Sequence, residues 1–301
     1  MKKLILWDLD GTLINTLEDL AAAVDYALTL RGLPTHSIEE YRKMVGHGVR
    51  NLVKQALEAS VCTRPTPTHD SSTRPTAEGI YFPQGFAENQ IPSAIANPTR
   101  GSNEQPTPTR DSSARPTAGG NYFSQSFAKN QFPSAIATPT HGDVDTGLTD
   151  AYIDAALADF REYYEAHIDV HTRPYPGIPE LLNKLNAMGV KMAVASNKFQ
   201  EGTEKLIQEF FPDIAFVSIL GNRAGYPLKP DPEIVQEVLR RAGIDPEDAM
   251  MVGDSPTDMK TAANGGIDAL AVTWGYRTPE ELAGNRMVHS VEELDSTLCS
   301  E

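Results

Sequence analysis

Two aspartates, Asp8 and Asp10, stand one residue apart at the end of an apolar run in "LILWDLDGTLINT", followed at once by Gly11 and Thr12. Further polar groups recur in similar settings: Ser196 closes "VKMAVAS", Lys229 precedes "PDPEIVQEVL", and Asp254 closes "AMMVGD", with Asp258 one turn beyond. Gathered carboxylates repel one another unless a cation compensates, and hard divalent Mg²⁺ prefers oxygen ligands. Asp8, the main-chain carbonyl of Asp10 and Asp254 can supply them. A lysine and a helix start at Ser196 favour an anion, and a phosphoryl group satisfies both demands. With phosphorus so held, the Asp8 carboxylate can attack it, while Asp10 is spaced to protonate the leaving oxygen and then to deprotonate the attacking water.

Each residue alone has a plainer explanation. Ser196 and Ser255 suit helix N-caps; "SPTD" reads as a cap, a proline at the first helical position and an acid at the third, and Asp231 before Pro232 also reads as a cap. An isolated Lys229 would be a solvated charge. Their order along the chain, each at a strand end, is what capping alone does not produce.

The elements that must position these groups follow from patterning. From Tyr175 onward the apolar runs "VKMAVAS", "AFVSIL", "AMMVGD" and "ALAVTWG" alternate with helical stretches such as "PEIVQEVLRRAG". That alternation predicts an α/β fold, a Rossmann-like parallel sheet with helices on both faces. In such sheets ligands bind beyond the carboxyl ends of the strands, where these residues stand. The opening strand Lys3 to Trp7 would join the sheet. "LEDLAAAVDYALTLRG", "SIEEYRKMVG", Arg50 to Ala59 and "LTDAYIDAALADFREYYEAHI" read as helices and form an inserted α-helical cap. The expected division is a catalytic core of 1–15 and 174–301 and a cap of 16–173.

The cap is interrupted at 62–147. Residues 65–101 match residues 106–142 at 27 of 37 positions, and the stretch holds 11 of the 22 prolines, with no Leu or Val between Cys62 and Asp143. Such a composition cannot build much of a core, so the expectation is a mostly disordered insertion. The alternative is a partner-binding segment using Tyr81, Phe82 and Phe86 and their second copies Tyr122, Phe123 and Phe127.

The formal charge of -15 opposes association with nucleic acid or anionic lipid. Cys62 and Cys299 lack metal-ligand spacing and read as free thiols in a reducing compartment. The four-residue apolar run Leu4 to Trp7 is too short for a membrane span or a signal-peptide core. The expected setting is the cytoplasm, and the expected partner a small phosphorylated metabolite.

"DLDGT", "ASNK", "LKPDP" and "GDSPTD" resemble the four ordered motifs of the haloacid dehalogenase superfamily in its phosphatase branch, over nearly everything except 62–147. The resemblance implies Mg²⁺ as cofactor, Asp8 as nucleophile forming an aspartyl-phosphate, and Asp10 as general acid and base. It further implies Ser196, Asn197 and Lys229 as phosphate ligands, with Thr12 counted among them and steadying the Asp10 loop. Asp254 becomes a metal ligand beside Asp8 and Asp10, and Asp258 a supporting acid. The superfamily's dehalogenases lack the second aspartate and need no metal, which Asp10 and Asp254 argue against. A phosphomutase shares all four motifs and stays open as the alternative; a non-enzymatic phospho-receiver carries its acidic pair and its phosphoacceptor on different strands, unlike "DLD". The cap sequence, "HTRPYPGIPELL" and "AVTWGY" are similar to phosphoglycolate phosphatases, which makes 2-phosphoglycolate the expected substrate. For specificity, "MVGHGVRN" offers His47 and Arg50 around two glycines, with Arg50 suited to a substrate carboxylate; the alternative is a turn into a helix with Arg50 solvated. Asn15 replaces an acidic residue found in many relatives.

Overall fold

The structure, a computed structural model, describes residues 2–62 and 148–300. The insertion expected at 62–147 lies outside the described residues, save for Cys62 at the end of a helix.

In chain order the elements are β1 (Leu4–Trp7), β2 (Ile14–Asn15), α1 (Leu17–Thr29), α2 (Ile38–Met44), α3 (Val49–Cys62), α4 (Asp150–His167), β3 (Arg173–Pro174), α5 (Ile178–Ala187), β4 (Lys191–Phe199), α6 (Gln200–Phe210), β5 (Phe216–Asn222), α7 (Glu233–Ala242), β6 (Ala249–Gly253), α8 (Pro256–Gly265), β7 (Asp268–Val272), β8 (Met287–Val288) and α9 (Val291–Ser300). Six strands form one parallel sheet in the order β5-β4-β1-β6-β7-β8. β1 sits between β4 and β6 with all four residues buried. Ile5 and Trp7 belong to one apolar layer and Leu4 and Leu6 to the other, the period-2 alternation of a strand covered on both faces. That central position carries Asp8 to the middle of the sheet's carboxyl edge.

Between β1 and the rest of the sheet the described residues form helices α1–α4. The chain leaves through β2 and returns through β3, and these two strands pair antiparallel. Asp19, buried on α1, closes the junction by accepting the N–H groups of His171 and Thr172 and the Thr172 hydroxyl at 2.8–3.0 Å. α2 starts at Ser37 with a full capping box to Glu40. α1 and α4 pack against one another, and Leu20, Val24, Ala27, Ile153, Ala156 and Phe160 are buried in the same apolar layer. No helix among the described residues is long and apolar enough to cross a membrane.

One local expectation is corrected. Ser196 does not begin a helix: β4 runs on to Phe199, and α6 starts at Gln200. The pairing slips instead, Ala195 facing Leu220 and Phe199 facing Asn222, so the first strand spends more residues than its neighbour on the same span. Ser196, Asn197 and Lys198 fill this bulge, which re-aims side chains at a strand end.

Candidate active site

The carboxyl ends of β1, β4 and β6 converge on a pocket lined by Asp8, Asp10, Ser196, Lys229, Asp254 and Ser255. Its other wall comes from the helical insertion, through Val45, Gly46, Gly48 and Val49.

Carboxylate oxygens of Asp8, Asp254 and Asp258 lie within 4.8 Å of one another, all in buried residues. The Lys229 ammonium spans the cluster, donating to Asp8 Oδ1 at 2.7 Å, Asp258 Oδ1 at 2.6 Å and the Ala195 carbonyl at 2.8 Å. Residues 221 apart in sequence thus touch, and three carboxylates face one ammonium. Burial pushes Asp8 well above its ordinary range, Asp258 adds to this, and Lys229 opposes it. Burial lifts Asp254 to about 7, again reinforced by Asp258. Burial works against the charge on Lys229, but Asp258 and Asp8 outweigh it and raise the ammonium's pKa.

Asp258 does two tasks. Its Oδ2 accepts the Ser255 N–H and hydroxyl at 3.1 and 2.6 Å, completing the capping box at the start of α8, and its Oδ1 takes Lys229. With both oxygens engaged, it is a support for Lys229. Asp254 Oδ2 accepts the Tyr276 N–H at 2.6 Å, while its Oδ1 and Asp8 Oδ2 accept no hydrogen bond among the described residues. Two unengaged carboxylate oxygens in a buried, charge-excess cluster fit a hard divalent cation. Gly11 and Gly275 frame Asp254 so closely that a Cβ on either would meet its carboxylate at 2.4 or 2.3 Å.

Asp10 faces away from the cluster. Its Oδ1 accepts the Thr16 hydroxyl at 2.7 Å and the Lys198 ammonium at 3.2 Å. Ser196 Oγ accepts the Lys198 N–H at 3.2 Å, and its own proton has no acceptor among the described residues. Asn197, expected as a phosphate ligand, is occupied otherwise: Oδ1 accepts the Lys229 N–H at 2.8 Å, and Nδ2 donates to the carbonyls of Lys229 and Gly46 at 3.1 and 3.2 Å. It sets the Lys229 backbone and touches the helical insertion at Gly46. Thr12 lies fully buried outside the pocket lining, with Oγ1 unpartnered and its carbonyl accepting from Trp274 Nε1.

The specificity residues read from "MVGHGVRN" are corrected. His47 and Arg50 are exposed and line no part of the pocket. Arg50 instead pairs with Asp150 and Asp154 of α4 at 2.8 and 3.1 Å. Val49 must turn inward to bury, so the next residue on the helix points to solvent, the alternative noted for Arg50.

A haloacid dehalogenase-like hydrolase family model matches residues 2–266. The chain belongs to the haloacid dehalogenase-like hydrolases. It is 29% identical over 300 residues to phosphoglycolate phosphatase 1 of Pseudomonas aeruginosa, covering 99% of this chain and 79% of that protein. It is 25% identical over 294 residues to the phosphoglycolate phosphatase of Pseudomonas syringae pv. tomato, covering 98% and 78%. A solved structure from Lactobacillus delbrueckii subsp. bulgaricus superposes with a TM-score of 0.67 at 25% identity over 99% of each chain.

Within this hydrolase, two cationic residues escape motif reading. Lys198 is buried against Asp10, and Arg277 reaches across from the loop after β7 to the last carbonyls of α2, donating to Arg42 and Lys43 at 2.8 and 3.4 Å and to Val45. Arg42 returns the contact, donating to the Gly275 carbonyl at 2.9 Å. Arginine at a helix C-terminus meets orphan carbonyls and the negative end of the dipole. The only sequence signals were a lysine inside the strand-end motif "ASNK" and an arginine following "AVTWGY".

The Asp254 shift carries a testable sign. Its folded value near 7 exceeds the ordinary 3.8, so between those values the folded protein binds more protons than the unfolded chain. Metal-free stability therefore falls as pH rises through this window. A divalent cation held by Asp254 would compete with those protons. The Mg²⁺-induced rise in melting temperature is expected to be large at pH 8 and to shrink towards pH 5, and a rise independent of pH contradicts a metal on Asp254.

Proposed function

We propose that this hydrolase is a Mg²⁺-dependent phosphatase of small phosphate monoesters, with 2-phosphoglycolate as its preferred substrate. One observation carries the reading: Asp8, with an unengaged Oδ2, shares a buried cluster with Asp254 and with the Lys229 ammonium at 2.7 Å. Groups suited to act as nucleophile, metal carboxylate and cation for the phosphoryl oxygens thus lie together where the carboxyl ends of neighbouring strands converge. The domain division, the core of 1–15 and 174–301 and the cap of 16–173, and a cytoplasmic location belong to the same proposal.

In the first step an oxygen of the Asp8 carboxylate forms a bond to phosphorus while the ester P–O bond breaks, and Asp10 gives its proton to the departing oxygen. An aspartyl-phosphate on Asp8 and a free alcohol result. In the second step water attacks phosphorus, Asp10 takes its proton, and the Asp8–phosphoryl bond breaks to release phosphate. Mg²⁺ held by Asp8, the Asp10 carbonyl and Asp254 would supply charge neutralisation at the phosphoryl oxygens. Ser196 offers a hydroxyl proton and Lys229 a positive charge to the same group, and Asp258 keeps Lys229 in place.

Support for a carboxylated substrate comes from the two curated relatives, both phosphoglycolate phosphatases. It also comes from the pocket wall at Gly48 and Val49, where α3 begins without an acidic residue in its first turn and its dipole favours an anion. A panel of small phosphate esters with Mg²⁺ tests the proposal. The expected kcat/KM for 2-phosphoglycolate exceeds that for sugar phosphates by about tenfold or more, as one well-placed charged contact would give. Equal values overturn the substrate assignment.

A further inference from the structure

Lys198 is a lysine with almost no access to water: its side chain is 1% exposed. It sits in the β4 bulge, and its ammonium donates to Asp10 Oδ1 at 3.2 Å, to Tyr164 Oη at 2.6 Å and weakly to Asp10 Oδ2 at 3.5 Å, above the Tyr164 ring at 4.6 Å. Removing an ammonium from water costs several kcal/mol before pairing offsets it. No step assigned so far needs this residue.

The surroundings of Asp10 give it a use. Thr16 Oγ1 also donates to Oδ1, at 2.7 Å, which leaves the Tyr276 hydroxyl, 3.0 Å from Thr16 Oγ1, as the donor in that pair. Both strong donors therefore converge on one oxygen of Asp10. Oδ2 keeps only the 3.5 Å contact. Of the donors that fix Asp10, Thr16 immediately precedes α1 and Lys198 is itself braced by Tyr164 on α4, so the orientation of a core carboxylate depends on helices of the insertion.

We propose that Lys198 is the positioning residue for proton transfer: braced by Tyr164 of α4, it holds Asp10 Oδ1 so that Oδ2 is the oxygen exchanging a proton with the leaving group and then with water. The inference rests on the reading of Asp10 as acid and base given above. Chemistry is then competent only while α4 is seated against β4, and the insertion that shapes the substrate site also sets the acid.

The leaving group separates this role from a merely structural one. kcat/KM covers the steps through ester cleavage, where an alkoxide needs a proton and 2,4-dinitrophenolate does not. In Lys198→Met, kcat/KM for phosphate monoesters of uncharged alkyl alcohols and for 2-phosphoglycolate is expected to fall by about 10- to 100-fold, within the range general acid catalysis contributes. For 2,4-dinitrophenyl phosphate it stays within about threefold. The aryl ester should also show a burst of dinitrophenolate, because Asp10 must still act as base in the second step. Tyr164→Phe, which removes one oxygen and keeps the ring, should give the same pattern at smaller amplitude. Equal losses on both ester classes overturn the positioning role, as does a loss confined to the carboxylated substrate, which would make Lys198 a substrate ligand. A wild-type protein inert towards every ester with Mg²⁺ overturns the underlying reading of Asp8 and Asp10 as well, an outcome distinct from either of these.

Discussion

Asp8→Asn is expected to lose turnover by about four orders of magnitude or more, the scale seen when an enzyme's nucleophile is removed. An amide oxygen is a far poorer nucleophile than a carboxylate, and no neighbour can substitute: both oxygens of Asp258 are engaged by Lys229 and Ser255, and Asp10 is held away by Thr16 and Lys198. The variant should nevertheless fold at least as well without metal. Burial and Asp258 both penalise the Asp8 charge, and an amide relieves that penalty while its oxygen can still accept from Lys229. The checks are steady-state turnover, acid-quenched phosphoenzyme and thermal unfolding without Mg²⁺. Turnover above about one per cent, well outside the loss expected for a missing nucleophile, would remove Asp8 from its role.

Lys229→Met is expected to damage both activity and stability. Its ammonium makes hydrogen bonds to Asp8, Asp258 and Ala195 from a side chain only 2% exposed. Removing one partner of a buried ionic cluster leaves uncompensated charge, a loss of about 3–5 kcal/mol. At this chain size that corresponds to a fall in melting temperature on the order of 10 °C. The deficit should be greatest at pH 8 without metal and smaller at pH 5, where Asp254 accepts a proton. Activity should fall about a thousandfold, since a preorganised cation beside the transferring group contributes on that scale. A variant with wild-type melting behaviour at pH 8 would contradict the placement of Lys229 as the counter-charge.

The grouping of the core residues was legible because their motifs are short and most of them stand at strand ends, Lys229 instead following β5 in a loop. Asp8, Lys229, Asp254 and Asp258 need only the parallel sheet to bring them together, and apolar runs alternating with helices announce that sheet. Ser255 and Asp258 were legible as a capping box, although the sequence did not say that one carboxylate would cap a helix and hold a lysine as well. The helix start expected at Ser196 failed because the bulge arises from slippage against β5, a non-local partner. Lys198 was hidden for a related reason: its burial depends on Tyr164, in a helix that precedes it by 34 residues and belongs to a different layer. Arg50 was misplaced by its local sequence, since an arginine two residues beyond a glycine looks poised while α4 supplies two acids outside the pocket. Asn197 and Arg277 show the same limit, because both join the sheet's loops to the inserted helical segment.

The close fit of Gly11 and Gly275 around Asp254 determines where this protein can vary. Gly11 has φ of +90°, and a methyl group at either residue would collide with the carboxylate proposed to hold the metal. Mutational drift at these two places is closed to all other amino acids, whereas the exposed ridge at His47 and Arg50 imposes no such bar. New substrate preferences would therefore be reached by changes in the pocket wall that the helical insertion supplies, with the residues around Asp254 inherited intact.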